Sequence, residues 1–308
     1  MRFTLRQLQV FVAVAMQGNV SRAAEALALS QSATSTSLAE LERQTNCQLF
    51  DRAGKRLILN ALGQLLLPQA GALLDQAREI EALFKGKSGY GSLSVGATLT
   101  VGNYLATLLI GSFMQRHPEC RVSLHVQNTS HMVQQIARYE LDLGLIEGEC
   151  RHPDIEVQPW VDDELVVFCA PEHPLAKRGE ASLAELCNEA WILREKGSGT
   201  RLTFDQAMRH HSTTLNIRLE LEHTEAIKRA VESGLGISCI SRLALRDAIR
   251  RGSLVAVETP ELDLVRQFNF IWHKQKYQNA AMSEFLDLCR ELTKGVTRSD
   301  QIVLPSLR

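Results

Sequence analysis

Small polar side chains recur along this 308-residue chain in two settings that could do chemistry. Gln31, Ser32, Ser35 and Thr36 fall near one face of a predicted helix. A glutamine there can bond both polar atoms of an adenine edge, and small hydroxyl side chains let a helix sit deep in a DNA groove. Arg52, Lys55 and Arg56 follow at once, as phosphate or minor-groove contacts would. Further on, Thr98, Leu99 and Thr100, then Asn128 and Thr129, then Ser198 and Thr200, then Thr224 each follow a predicted strand or loop and open a predicted helix. Glu147 follows the strand-like DLGLI. Hydroxyls and free N–H groups at helix starts hold an anion or a carboxylate. Taken singly, each cluster is more simply a helix cap. Glu147 would repel a doubly charged anion; it suits a protonated ligand or a ring of hydroxyls.

Catalytic readings are poorer. His210 and His211 lack a third ligand or a nearby carboxylate at helical spacing. Ser198, in GSGT, matches neither G-x-S-x-G nor a phosphate loop ending in G-K-[ST]. ECRHPD at 149–154 reads as a polar loop. The chain is not expected to be an enzyme, and no cofactor is implied.

The elements that must position these residues can be read from periodicity. Leu5, Leu8, Phe11, Val12 and Ala15 mark a first helix from about Thr4 to Gln17, ended by Gly18. SRAAEAL is a second, capped by Asn19 or Ser21. After a break at Ala28–Ser30, a third runs from about Gln31 to Gln44 with Ser30 as its cap. Ala33, Leu38 and Leu41 fall near its packed face. Two helices joined by a tight turn, the second polar and small-faced, make a DNA-reading arrangement. QLFDRAGKRLILNALG reads as a two-stranded wing. Residues 61–88 show helical periodicity that stops at Gly86, Ser88, Gly89 and Gly91, a flexible joint. So long a helix beside so small a head calls for a second copy to cover its stripe. From there strands (SLSVGAT, RVSLHVQ, DLGLI, ELVVFCA, AWILR, NIRLELE, GISCI, FNFIWH) alternate with helices, which predicts an α/β body with parallel sheets.

Composition agrees. Net charge is −1, yet residues 1–60 hold seven Lys/Arg against four Asp/Glu, and residues 89–308 hold 24 against 28. That polarity suits a nucleic-acid-binding head on a slightly acidic body. The amphipathic start is unlike a signal peptide and no apolar run reaches membrane length, so a cytoplasmic protein without membrane contact is expected. The seven cysteines lie far apart without a C-x-x-C pair, as expected of reduced thiols rather than a zinc site.

The order of the first helix, SRAAEAL, SQSATSTSLAELE, LFDR and the wing resembles the N-terminal domain of LysR-type transcriptional regulators, nearly continuously from Leu5 to Gly63. The resemblance implies a winged helix-turn-helix at 1–60, a linker and dimerisation helix at 61–88, and a two-lobed, periplasmic-binding-protein-like effector domain at 89–308. Lobe I would comprise 89–161 and 267–295, and lobe II 162–266. It implies that Gln31, Ser32, Ser35, Thr36 and Arg52 contact promoter DNA. Thr98 and Thr100 would converge with Ser198 and Thr200 across one cleft that binds a small effector. A homodimer or homotetramer is implied, with effector-controlled spacing of the heads. Many members carry long basic or amide side chains where this chain has Thr36 and Ser37, which shifts weight toward shape readout and phosphate contacts. TVGNYLATLL is similar to a subgroup regulating sulfite and carbon assimilation, closest to its sulfite-responsive members. Sulfite, as the protonated oxyanion, would reconcile the Thr and Ser donors with Glu147. The alternatives are a small organic carboxylate, or a cytoplasmic small-molecule-binding protein without DNA function.

Overall fold

The computed structural model describes residues 2–53, 56–84, 90–209 and 215–303. Lys55, most of the expected glycine joint (Gly86, Ser88, Gly89) and His210–His211 lie outside the described residues.

The head forms where local capping dictates. Helix α1 (Leu5–Gln17) opens on Thr4, whose hydroxyl accepts from Gln7 N–H while the Gln7 side chain accepts from Thr4 N–H; Gly18 ends it at φ 59°. Asn19 caps α2 (Val20–Ala26), accepting from the N–H groups of Ser21 and Arg22. The chain turns through Ala28 at φ 52° before Ser30 caps α3 (Gln31–Thr45). Buried Phe11 and Phe50 meet with ring centroids 5.6 Å apart among Leu8, Val14, Ala23, Leu38 and Leu41. Burying one such side chain is worth about 1.5–3 kcal/mol. On α3 the packed face carries Thr34, Leu38 and Leu41, with the Thr34 hydroxyl donating to Ser30 O at 3.0 Å; Ala33 is exposed. A hydroxyl satisfied within its own helix can be buried, so Thr34 takes the place the spacing assigned to Ala33. Strands β1 (Phe50–Ala53) and β2 (Arg56–Leu59) pair antiparallel as the wing.

Helix α4 (Ala61–Phe84) divides its apolar residues. Leu67, Ala70 and Leu74 pack into the head's own core, while Leu62, Leu65, Leu73, Ile80 and Phe84 remain exposed. The helix therefore packs on its own head through one apolar set and leaves a second exposed. It is also tied to the body. Lys276 Nζ lies 3.2 Å from Asp75 and 2.7 Å from Asp142, and Glu79 accepts from Tyr277 Oη and Ala280 N–H. Burial works against the Lys276 ammonium, but the two aspartates hold its pKa above the usual lysine value.

The body begins with β3 (Ser92–Ala97), α5 (Leu99–Val101), a π-helical turn at Gly102–Ala106, α6 (Thr107–Arg116), β4 (Arg121–Val126), α7 (Thr129–Ala137) and β5 (Leu143–Glu147). The 15-residue β6 (Ile155–Cys169) then runs toward α8 (Pro174–Arg178), α9 (Leu183–Leu186), β7 (Ala190–Arg194), α10 (Gly199–Met208), β8 (Asn216–Leu221), α11 (Thr224–Glu232), β9 (Ser238–Ser241), α12 (Arg242–Arg251) and β10 (Val255–Val257). Strand β11 (Val265–His273) returns, followed by α13 (Ala280–Leu292) and a 3-10 turn at Ser299–Gln301.

The α/β class holds, but the sheets are mixed. β3 pairs parallel with β4 and β5, and β7 with β8. β11 runs antiparallel to β5 and β6, and β6 antiparallel to β9 and β10. The reason is that two long strands carry the chain across the body and back. The sequence pattern shows β6 only from Glu164 onward, because Pro159, Asp162 and Asp163 interrupt its first half. Pro159 is accommodated where the β6–β11 register shifts, between Phe268 and Asn269. A bulge tolerates a residue without an N–H.

Candidate functional site

On the head, Gln31, Ser32, Ser35 and Thr36 are exposed along α3, and Arg52 and Arg56 are exposed on the wing. The Ser32 hydroxyl lies 3.1 Å from that of Ser30. Exposed Arg22 on α2 lines a groove with Arg56, a cationic neighbour that the motif reading passed over. Polar helix face and flanking arginines together form a surface able to meet bases and phosphates.

In the body, the predicted residues other than Thr224 follow the carboxyl ends of β3, β4, β5 and β7, where ligands bind in α/β sheets. Thr98 is fully buried, and its hydroxyl accepts from Glu147 N–H at 3.2 Å. Leu99 and Thr100 start α5 beside it and are buried. Asn128 caps α7 by accepting from His131 N–H, and Thr129 accepts from Gly199 N–H at 3.1 Å. Ser130 N–H donates to Gly197 O. These last two bonds join the β3–β5 side of the cleft to the α10 side. The carboxyl groups of Asp163 and Glu147 face one guanidinium, that of Arg266. Arg266 Nε donates to Asp163 at 2.7 Å, Nη1 to Thr200 Oγ1 at 3.0 Å, and Nη2 lies 3.5 Å from Glu147 Oε2.

The Arg266 and Glu147 side chains are 2% and 1% exposed, so water does not screen this pair. Buried polar atoms are nearly always bonded. Yet Glu147 Oε2, Arg266 Nη2, Ser198 Oγ and Arg194 Nη1 carry no hydrogen bond among the described residues. Ser198 is the N-cap position of α10, and Arg194 ends β7 just before it. A negative group there would also meet the positive end of the α10 dipole. Arg266 further lines a cavity of about 620 Å³ with Gly148, Asp162, Thr203, Gln267 and Asn269.

Thr224 is buried as the first residue of α11, and its neighbour Glu225 accepts from Tyr104 Oη, which the π-helical turn carries. Burial, and then Glu225, push the Tyr104 phenol well above its ordinary pKa. Against burial, the Lys228 and Tyr104 bonds hold the Glu225 carboxyl below its usual value. Thr98, Thr129, Glu147, Ser198 and Thr200 are thus linked through shared or adjoining contacts, whereas Thr224 stands on a separate crossing. Arg266 and Arg194 were missing from the sequence reading. Their one signal was an arginine next to an apolar strand pattern, before FNFIWH and at the end of AWILR.

Comparison with known proteins adds two family matches. Residues 5–64 match the bacterial regulatory helix-turn-helix protein, lysR family, and residues 87–294 match the LysR substrate binding domain. YeiE of Escherichia coli strain K12, described as an uncharacterized HTH-type transcriptional regulator, is 44% identical over 289 residues, covering 94% of this chain and 98% of its own. The CcmR regulatory domain of Synechocystis PCC6803, solved in complex with 2-PG, is 32% identical with a TM-score of 0.63, covering 67% of this chain and 99% of its own. Full-length OxyR of Pseudomonas aeruginosa shares the fold at a TM-score of 0.70 and 24% identity, over 94% of this chain and 98% of its own.

Proposed function

The chain belongs to the LysR family and is a DNA-binding transcriptional regulator with an effector-binding domain, not an enzyme, and from that premise we propose that its effector is a small protonated oxyanion, with sulfite the leading candidate. The observation that carries this reading is the unsatisfied set Glu147 Oε2, Arg266 Nη2 and Ser198 Oγ. Arg266 Nη2 has no hydrogen-bond acceptor and Glu147 Oε2 no hydrogen-bond donor among the described residues. A hydrogen-bearing anion supplies both from one molecule; a fully ionised dianion supplies acceptors alone and meets Glu147 with like charge. Ser198, Thr100 and the α10 N-terminus would hold the remaining oxygens.

Binding requires the two walls to part, because Ser130, Gly197, Thr129 and Gly199 now join them. A ligand that binds one lobe arrangement better than another shifts the population between them. In our reading the head is 1–60, the linker 61–88 and the body 89–308, with lobes dividing near residues 161 and 267. Gln31, Ser32, Ser35, Thr36, Arg52 and Lys55–Arg56 meet DNA, the exposed apolar residues of α4 meet a second copy, and a dimer of dimers transmits lobe movement to the spacing of the heads.

Titration calorimetry of the full chain with sulfite, sulfate and small carboxylates tests the effector. No sulfite binding at millimolar concentration would overturn it. A small carboxylate is the second reading; the similar CcmR domain was solved in complex with 2-PG.

A further inference from the structure

Arg266 is held in place from a distance. Its Nε bonds Asp163, the residue opposite it in the β6–β11 ladder. The Asp163 side chain is fully buried, and its other oxygen accepts from Ser241 Oγ at 2.7 Å and from Ser299 Oγ. Ser241 is the N-cap of α12, but Ser299 belongs to the C-terminal segment beyond α13. We propose that residues 298–302 form a strap across the body and that Ser299 is a positioning residue for the effector site, acting on Arg266 through Asp163; this rests on Arg266 meeting the effector.

The strap is anchored at both of its ends. Arg298 forms a bridge with Asp162 and donates to Glu164 at 3.1 Å, a carboxylate that also takes Arg242 Nε at 2.8 Å. Ile302 is 2% exposed in the core built around β3, α6 and α13, and its carbonyl accepts from Arg246 on α12. Ser299, between these anchors, is 1% exposed. An apolar side chain would cover that position without burying a hydroxyl, which costs free energy unless bonded. The hydroxyl bonds the buried carboxylate that orients the guanidinium. Two donors on one Asp163 oxygen leave the other aimed at Arg266 Nε. Arg266 then has one terminal nitrogen committed to Thr200 and the other directed at Glu147. With Ser299 removed, that Asp163 oxygen keeps only Ser241, and the carboxylate and guanidinium gain freedom together.

Hydrogen–deuterium exchange on the ligand-free full chain reads this without reference to any effector. Ser299→Ala should raise exchange about tenfold, the weight of one hydrogen bond to a charged group, in residues 199–204 and 265–267 while leaving Ser92–Ala97 unchanged. Ser299→Thr, which keeps the hydroxyl, should restore the wild-type pattern. A rise confined to 296–303, a uniform rise that includes Ser92–Ala97, or equal effects of Ala and Thr would each overturn the strap. Sodium sulfite titration then separates the two readings. If the wild type binds sulfite, Ser299→Ala should bind about tenfold more weakly, and unchanged affinity would overturn the positioning role. If the wild type does not bind sulfite, the sulfite reading falls and the exchange pattern alone decides the strap.

Discussion

Glu147 Oε2 and Arg266 Nη2 lie 3.5 Å apart, both buried, and neither atom has a hydrogen bond among the described residues. The pair is close enough to neutralise charge but not aligned to satisfy it. Converting Glu147 to Gln keeps the shape, removes the charge and puts an N–H₂ group in reach of a ligand oxygen. Glu147→Gln should therefore raise the ratio of sulfate to sulfite affinity by at least about tenfold, one like-charge contact converted to a hydrogen bond. Calorimetry with both anions reads the ratio; an unchanged ratio removes Glu147 from discrimination.

Ser198→Ala separates binding from stability. The Ser198 hydroxyl is buried without a partner, so its loss should leave the melting temperature unchanged or higher. The same substitution, like Thr100→Ala, should blunt the effector response in a promoter-binding assay and spare DNA affinity. Equal loss of DNA binding in these variants and in Gln31→Ala would refute the division of roles.

Gly199→Ala should wedge the cleft. A Cβ there would stand 2.2 Å from Glu147 O and 2.9 Å from Thr129 Oγ1. Overpacking of this kind costs about 1–3 kcal/mol. We expect a lower denaturant midpoint and a larger radius of gyration by small-angle scattering; wild-type values for both would mean that the backbone yields locally.

Gln31→Ala should weaken specific promoter binding by about 1–3 kcal/mol and leave non-specific binding nearly unchanged. Arg56→Ala should instead weaken both and reduce the salt dependence of binding. Gel shifts at two salt concentrations distinguish these outcomes.

The head–body contact should be acid-sensitive. Tyr139 packs against the head's core cluster and meets the His273 ring at a tilt, with ring centroids 4.1 Å apart. Burial, the largest influence, pulls the His273 pKa below the ordinary histidine value; Asp154 opposes it and His152 adds to it. The unfolded chain then binds the proton more readily, so the stabilisation is present above about pH 6.5 and is lost as pH falls through the lower folded value. Urea denaturation across that window should show this slope in the wild type and a shallower one in His273→Gln.

The sequence by itself determined the head and the helix starts. Gly18, Asn19, Ser30 and Asn128 act within a few residues of themselves, so their caps and breaks can be read in order along the chain. The same local logic located the Thr98, Ser198 and Thr224 helix starts and the apolar period of α4. Tertiary structure alone decided which α4 residues are covered, where β6 begins, and how the cleft charges are balanced. Arg266 meets Glu147 and Asp163, 119 and 103 residues away, because β6 and β11 cross the body antiparallel and place Asp163 opposite Arg266 in their ladder. A buried charge is stable only beside its counter-charge. Spacing along a chain carries no record of a partner that folding brings from a hundred residues away.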